Sequence, residues 1–206
     1  MYARTTTIRG NPQAIDDGIA NVRDEVMPLV QGMDGCVGLS MLADRGSGRC
    51  IITTAWATEE AMRASAEGVR ASRERAAQIV DGAAEVAEWE IALMHRVHEA
   101  GDGARTRVIW GHSEPGNMDD LLSSFRMTMM PKLEELPGFA SCNMMVDRQS
   151  GRTALAVTYD SADAMGRADA RAAELRREAT DTMGLQMDEV AEFDLVLAHL
   201  RVPETV

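Results

Sequence analysis

The sequence predicts an α+β fold made of two tandem ferredoxin-like repeats, each βαββαβ, together forming a single-chain α+β barrel. Three observations lead there. The chain aligns with itself at an offset of 103 residues, so that Met27-Pro28 falls on Met130-Pro131, Gly35 on Gly138, DRGSGR (44–49) on DRQSGR (147–152) and Ala61-Met62 on Ala164-Met165. Near the end the offset becomes 104, and VAEWEIALMH (86–95) falls on VAEFDLVLAH (190–199). Several matches in order at nearly one offset mark an internal repeat. The second observation is a shared helix face: Ile15, Ile19, Val22, Val26, Val30 and Met33 in the first copy, and Met118, Leu122, Phe125, Met129, Leu133 and Leu136 in the second. Spacings of four and three place each set on one side of an α-helix. The third is the order of patterns, strand–helix–strand–strand–helix–strand, which is the split-βαβ arrangement.

The elements follow in turn. A first strand over 3–10 gives way to Asn11, a helix N-cap, and Pro12, suited to the first helical position. The helix runs to about residue 31, with Pro28 late in it and Pro131 at the matching place, so a kink or loosened last turn is expected in both copies. Strands over 36–44 and 49–57 flank the turn residues RGSG (45–48). Thr58 caps a helix over about 59–80, with Glu59 and Glu60 at its positive end. A fourth strand spans 84–97. The polar stretch HEAGDGA (98–104) links the repeats, which are assigned to residues 1–98 and 104–206. The second copy repeats the series at 105–112, 117–136, 139–147, 152–160, 162–183 and 187–201. Helices cover one face of such a sheet, and apolar rows such as Trp89/Ile91/Leu93 and Phe193/Leu195/Leu197 suggest that the other face is buried too.

Composition narrows the functions. Apolar residues are 45% of the 206, and the formal net charge is −12. Such an acidic chain repels phosphate backbones and anionic membrane surfaces, so neither a nucleic acid nor a membrane is expected as partner. No apolar run reaches the ~18 residues of a membrane span. MYARTTTIRG lacks the apolar core of a signal peptide and reads as a strand. Cys36, Cys50 and Cys142 form no CxxC, which points to a cytoplasmic protein with thiols acting as small hydrophobes.

The stretch LPGFASCNMMVDRQSGRTALAVTYDSADAM (136–165), followed by a helix and a strand reading EFDLV, resembles the antibiotic-biosynthesis monooxygenase superfamily. The first copy carries the same pattern from Met33 to EWEIAL. Pro137-Gly138-Phe139 entering a strand, Trp56 and Tyr159 ending one, and Glu59-Glu60-Ala61 and Ser161–Ala164 opening a helix are the matching residues. The resemblance implies a dimeric α+β barrel folded within one chain. It also implies chemistry of the kind its members perform: cofactor-free oxygenation of polycyclic phenols, or heme degradation. The heme-degrading branch uses an Asn on the first strand, and a Trp and a ligating His on or near the second helix. This chain offers Thr5–Thr7 or Arg107–Ile109 on its first strands, and neither second helix contains Trp or His. No cofactor and no metal are therefore expected.

Candidate site residues come from the second copy and from the strand ends. His95 and His199 end equivalent fourth strands, either as rim residues or as general bases. His112 shares a strand face with Trp110, a pair with no counterpart in the first copy. Catalysis is accordingly assigned to His112 and His199. Substrate contact is assigned to Trp110, Asn143, Met129 and Met145, since Met adapts to flat apolar ligands. The alternating Glu88, Glu90, Glu192 and Asp194 read as cross-strand partners of arginine, and the arginines of the second helices, Arg73 and Arg176 among them, as a solvated face laced with ion pairs. The function expected is a cofactor-independent monooxygenase-like protein acting on a small aromatic or polyketide-type molecule. The alternative is a non-catalytic ligand-binding or structural pseudodimer of the same fold. Association of further copies of the chain is compatible with either.

Overall fold

The computed structural model describes residues 1–200. Eight strands are present: β1 (Tyr2–Arg9), β2 (Cys36–Asp44), β3 (Arg49–Trp56), β4 (Ala83–Arg96), β5 (Arg105–His112), β6 (Phe139–Asp147), β7 (Arg152–Tyr159) and β8 (Gln186–Leu200). The α-helices are α1 (Ile15–Asn21), α2 (Met27–Gln31), α3 (Glu59–Gly68), α4 (Arg70–Ile79), α5 (Met118–Ser124), α6 (Met130–Glu134) and α7 (Ala162–Met183). The expected end of the last strand at residue 201 lies outside the described residues.

Hydrogen-bonded neighbours run β1-β3-β2-β8-β5-β7-β6-β4, the strand order of the α+β barrel. The chain packs as two compact units, which divide within β4 at Trp89/Glu90 and within β8 at Phe193/Asp194. The first unit holds residues 1–89 and β8 from Asp194, and the second holds Glu90–Phe193. The sequence repeat and the unit of packing therefore have different ends: the last half of β8 pairs with β2 (Met41 opposite Leu197), and the last half of β4 with β6 (Met94 opposite Asn143).

Each unit has its own core. In the first, Ile15, Val22 and Val30 of the helix meet Leu39, Met41 and Ile52 of the sheet. In the second, Met118, Leu122, Phe125, Met129 and Leu133 meet Met144, Leu155 and Val157. The predicted helix faces are thus the buried ones. The caps are also as expected: the Asn11 side chain accepts from the Gln13 N–H, and Thr58 and Ser161 accept from Ala61 and Ala164. Helix 59–80 differs, being two helices with a break at Val69. Gly68 precedes that break, and the second copy has Arg171 there, a better helix former, within the unbroken α7.

The prolines loosen the turn before them. Val22–Val26 and Phe125–Met129 are π-helical, and the Met27 and Met130 N–H groups donate five residues back, to the carbonyls of Val22 and Phe125. A proline ring clashes with the carbonyl four residues earlier, and widening the turn relieves this. Both π segments line cavities described below.

The shared DRxSGR motif is explained by its glycine. Gly48 and Gly151 have φ of +73° and +77°, and a Cβ there would lie 2.1 and 2.0 Å from the Gly10 and Ser113 carbonyl oxygens. These contacts come from the backbone pairing of each turn with the end of the first strand (Gly10 N–H to Gly48, Ser113 N–H to Gly151). Gly151→Ala is expected to cost about 2–3 kcal/mol through enforced strain, read as a fall in the urea midpoint. Gly116→Ala, where nothing lies within 4 Å, should leave the midpoint nearly unchanged.

Candidate functional site

Strand alternation sends Arg107 and Ile109 of β5, Met144 of β6, and Leu155, Val157 and Tyr159 of β7 toward the helices of the second unit. The π segment contributes Phe125 and Met129, and α7 contributes Ala172, Leu175 and Arg176. Between them lies a cavity of about 50 Å³. A benzene-sized ligand needs roughly 150 Å³, so even one ring requires the flexible side chains of Met129, Met144 and Met187 to repack.

Besides Thr153, three polar groups interrupt this apolar lining. Arg107 is 2% exposed. Its Nε and one terminal nitrogen donate to Glu192 (3.1 and 2.5 Å), and that terminal nitrogen also donates to Asp169. Its other terminal nitrogen, NH1, is buried without a partner. Arg176 likewise has a buried NH1 without a partner. Tyr159, buried at the end of β7, has its ring centroid 5.9 Å from the Arg107 Cζ. Burial lowers the pKa of Arg176, and the Arg107 charge lowers it further. Burial also opposes the charge on Arg107, but Glu192 and the neighbouring negative groups hold its pKa above the usual value. Burial pushes the Tyr159 phenol up, against the pull of both arginines. An apolar cavity that carries two unspent guanidinium N–H donors is suited to an anion on an apolar body.

The first unit has the same cavity at the repeat-related positions. It holds about 40 Å³ and is lined by Arg4, Val22, Val26, Val30, Ile52 and Arg73, among others. Here Arg4 is fully occupied: Nε and NH2 donate to Glu88, NH2 also to the Met62 carbonyl, and NH1 to Ser65 Oγ at 2.9 Å. A larger cleft of about 230 Å³ beside Arg148 is less suitable. Arg148 is held there by Glu90 and Asp119, and Arg126 donates to the Ala92 carbonyl.

Of the six residues singled out in the sequence, Met129 lines the second unit's cavity. Trp110, Asn143 and Met145 alternate onto the opposite sheet face, where Trp110 and Met145 both lie opposite Ala154 in register. Trp110 meets Phe193 edge-on at 6.3 Å, and Asn143 Oδ1 is buried without a partner. His112 ends β5 with its side chain 45% exposed, 2.9 Å from Asp188. The hydrogen bond to that carboxylate raises the His112 pKa. His199 is an exposed residue of β8 opposite Leu39, in the first unit. Neither histidine is among the residues that line the cavity. His95 is half-buried and pairs with Glu134 at 2.9 Å.

The expected carboxylate–arginine pairing is present: Glu88 with Arg4, Glu192 with Arg107, Glu90 with Arg148 and Asp194 with Arg45. Arg73 and Arg176 depart from the solvated face assigned to them, since both are half-buried cavity residues. The available signal was their recurrence at one repeat position, together with Arg4/Arg107 on the first strands and Glu88/Glu192 on the fourth. Burial pushes the Cys142 thiol up to about 12 and the Cys50 thiol to about 11. Among the described residues no cluster of His, Cys, Asp or Glu could hold a metal ion, and no helix is long and apolar enough to cross a membrane.

Repeat, strand order and helix placement define a two-repeat α+β barrel protein, and the chain belongs to the antibiotic biosynthesis monooxygenase superfamily, whose model matches residues 1–78. Two proteins of Mycobacterium tuberculosis (strain H37Rv) are similar to it along its whole length. Uncharacterized protein Rv2558 is 50% identical over 207 residues, with 100% of this chain and 88% of that one covered. Uncharacterized protein Rv2557 is 49% identical over 210 residues, with 100% and 92% covered. An anthrone oxidase-like protein of known crystal structure superposes with a TM-score of 0.65 at 12% identity, covering 100% of this chain and 97% of that one. At that identity the likeness speaks to the fold alone.

Proposed function

We propose that the chain is a cofactor-independent monooxygenase-like enzyme whose substrate is a small aromatic phenol or enol held in the second unit's cavity. The observation that carries this reading is the buried, unpartnered NH1 of Arg107 in an apolar cavity beside Arg176 and Tyr159. A phenol ionises near pH 10 in water. A charge-assisted hydrogen bond contributes about 1.5–3 kcal/mol, so two such donors lower a bound phenol's pKa by at most ~2–4 units at 1.36 kcal/mol per unit, less the cost of desolvating the anion. The substrate ionises at lower pH to the extent that these donors outweigh burial, its proton passing to solvent, without a histidine base. The electron-rich anion reduces dioxygen itself. A CH₂ group and O₂ become a carbonyl and water, one oxygen entering each product, and the substrate supplies all the electrons. The apolar walls keep bulk water from the reacting carbon.

The test is oxygen uptake by purified, metal-free protein against anthrones, naphthols and simpler phenols. The expected result is uptake above the protein-free rate that falls at least ~10-fold in Arg176→Gln, from loss of one charge-assisted donor. Uptake that survives Arg176→Gln and is lost in His112→Ala or His199→Ala would move the chemistry to a histidine and refute this assignment. Binding of the panel without uptake would favour the non-catalytic ligand-binding reading.

A further inference from the structure

We infer that the chain binds one oxyanion with an apolar body, such as an aromatic carboxylate, and that the single residue difference Ser65/Ala168 confines it to the second unit. This deepens the reading of that cavity as the substrate site and rests on it.

The two cavities are built from the same positions of the repeat, and both carry an arginine pair, Arg4/Arg73 and Arg107/Arg176. The second arginine of each pair keeps one buried nitrogen without a partner, Arg73 Nε and Arg176 NH1, so the cavities differ in what the first arginine has left to donate. In the first unit Ser65 Oγ accepts from Arg4 NH1 at 2.9 Å and donates its own hydrogen bond to the Met62 carbonyl at 2.7 Å. Every nitrogen of Arg4 is thereby occupied within the protein. Adding the repeat offset to Ser65 gives Ala168, which is fully buried and has no acceptor atom in its side chain. Arg107, which lines the cavity, consequently keeps its NH1 buried with no protein partner.

A buried donor left unmade is costly, and a ligand oxygen would satisfy it. The ligand's charge follows from the surroundings. The carboxylates that balance Arg107 are Asp169 and Glu192, whose side chains are 61% and 42% exposed, so solvent screens them. The unpartnered nitrogens of Arg107 and Arg176 are buried, where an anion interacts more strongly. Apart from Thr153, the remaining walls are aliphatic, aromatic and thioether, so the rest of the ligand is apolar.

Calorimetric titration of the full chain with benzoate, using benzamide as the neutral isostere, tests this. Benzoate is expected to bind at one site per chain and benzamide at least ~10-fold more weakly, the loss of a charge-assisted donor–acceptor pair. Ala168→Ser, which supplies the acceptor found in the first unit, should weaken benzoate at least ~10-fold for the same reason. Ser65→Ala, if it folds, should raise the stoichiometry from one to two. Equal binding of benzamide, wild-type binding at two sites, unchanged affinity in Ala168→Ser, or no saturable benzoate binding would each overturn the inference. Benzoate is not oxygenated, so this outcome is independent of oxygen uptake.

Discussion

Replacing Arg107 with methionine is expected to lower kcat/KM for a phenolic substrate about 100-fold, the usual cost of losing one preorganised donor to a developing oxyanion. The same change removes a buried guanidinium from Glu192 and Asp169. Breaking a fully buried ion pair costs about 3–5 kcal/mol. Here both acids reach solvent and can be rehydrated, so a loss of about 1–3 kcal/mol is expected after discounting for screening. The two effects are separable. Arg107→Lys retains a charge against the acids but loses the planar fork. It should recover most of the stability and only part of the rate. A variant that loses stability but keeps kcat/KM would show that Arg107 is a structural counter-ion and not a substrate donor.

Met144→Ala is the second change with a large expected effect. Met144 is fully buried, lines the cavity and sits opposite Leu155 in the sheet. Truncating such a methionine costs about 2–5 kcal/mol. The space it leaves adjoins the existing cavity, so a ligand can fill it. Two-ring phenols should bind Met144→Ala better than wild type and restore part of its melting temperature, since a ligand at 100 times its Kd adds about 2.7 kcal/mol. Met41, 2% exposed at the same place in the first repeat, is the control. Met41→Ala should lose similar stability and recover none of it with the same ligands, because Arg4 there is already occupied. Recovery in both variants, or in neither, would contradict the assignment of the ligand to one unit.

The fold was legible because it rests on periodicity. The helix faces from Ile15 to Met33 and from Met118 to Leu136, the caps at Asn11, Thr58 and Ser161, and the turn glycines Gly48 and Gly151 each encode a local geometry. Duplication doubled these signals except the Asn11 cap, whose place is taken by Glu114 with no side-chain cap. The π-helical turns were legible only as strain ahead of Pro28 and Pro131, since sequence shows that a proline must be accommodated and not how. The site was less legible. Trp110, Asn143 and Met145 drew notice for their side-chain chemistry, yet strand alternation puts them on the face away from the helices. Met129 lay on a helix face already known to be buried, and it does reach the cavity. Arg73 and Arg176 stand among charged neighbours such as Arg70, Glu74 and Arg177, and composition alone places them in solvent. Long side chains at the edge of an apolar stripe can instead turn inward. The sequence sign of that was recurrence: an arginine at the same place in both repeats, with an arginine on the first strand and a glutamate on the fourth. Ser65 and Ala168 mattered because they break the repeat, and breaks gain meaning only once the repeated parts are seen to enclose a cavity.

The most direct test is methyl NMR of the protein labelled with ¹³C-methyl methionine, titrated with 1-naphthol without oxygen. Saturable shifts of the Met129 and Met144 methyl signals, abolished in Arg176→Gln, are the predicted result. A shift of the Met145 methyl, with Met129 and Met144 unmoved, would place the ligand on the other face of the sheet and contradict the account.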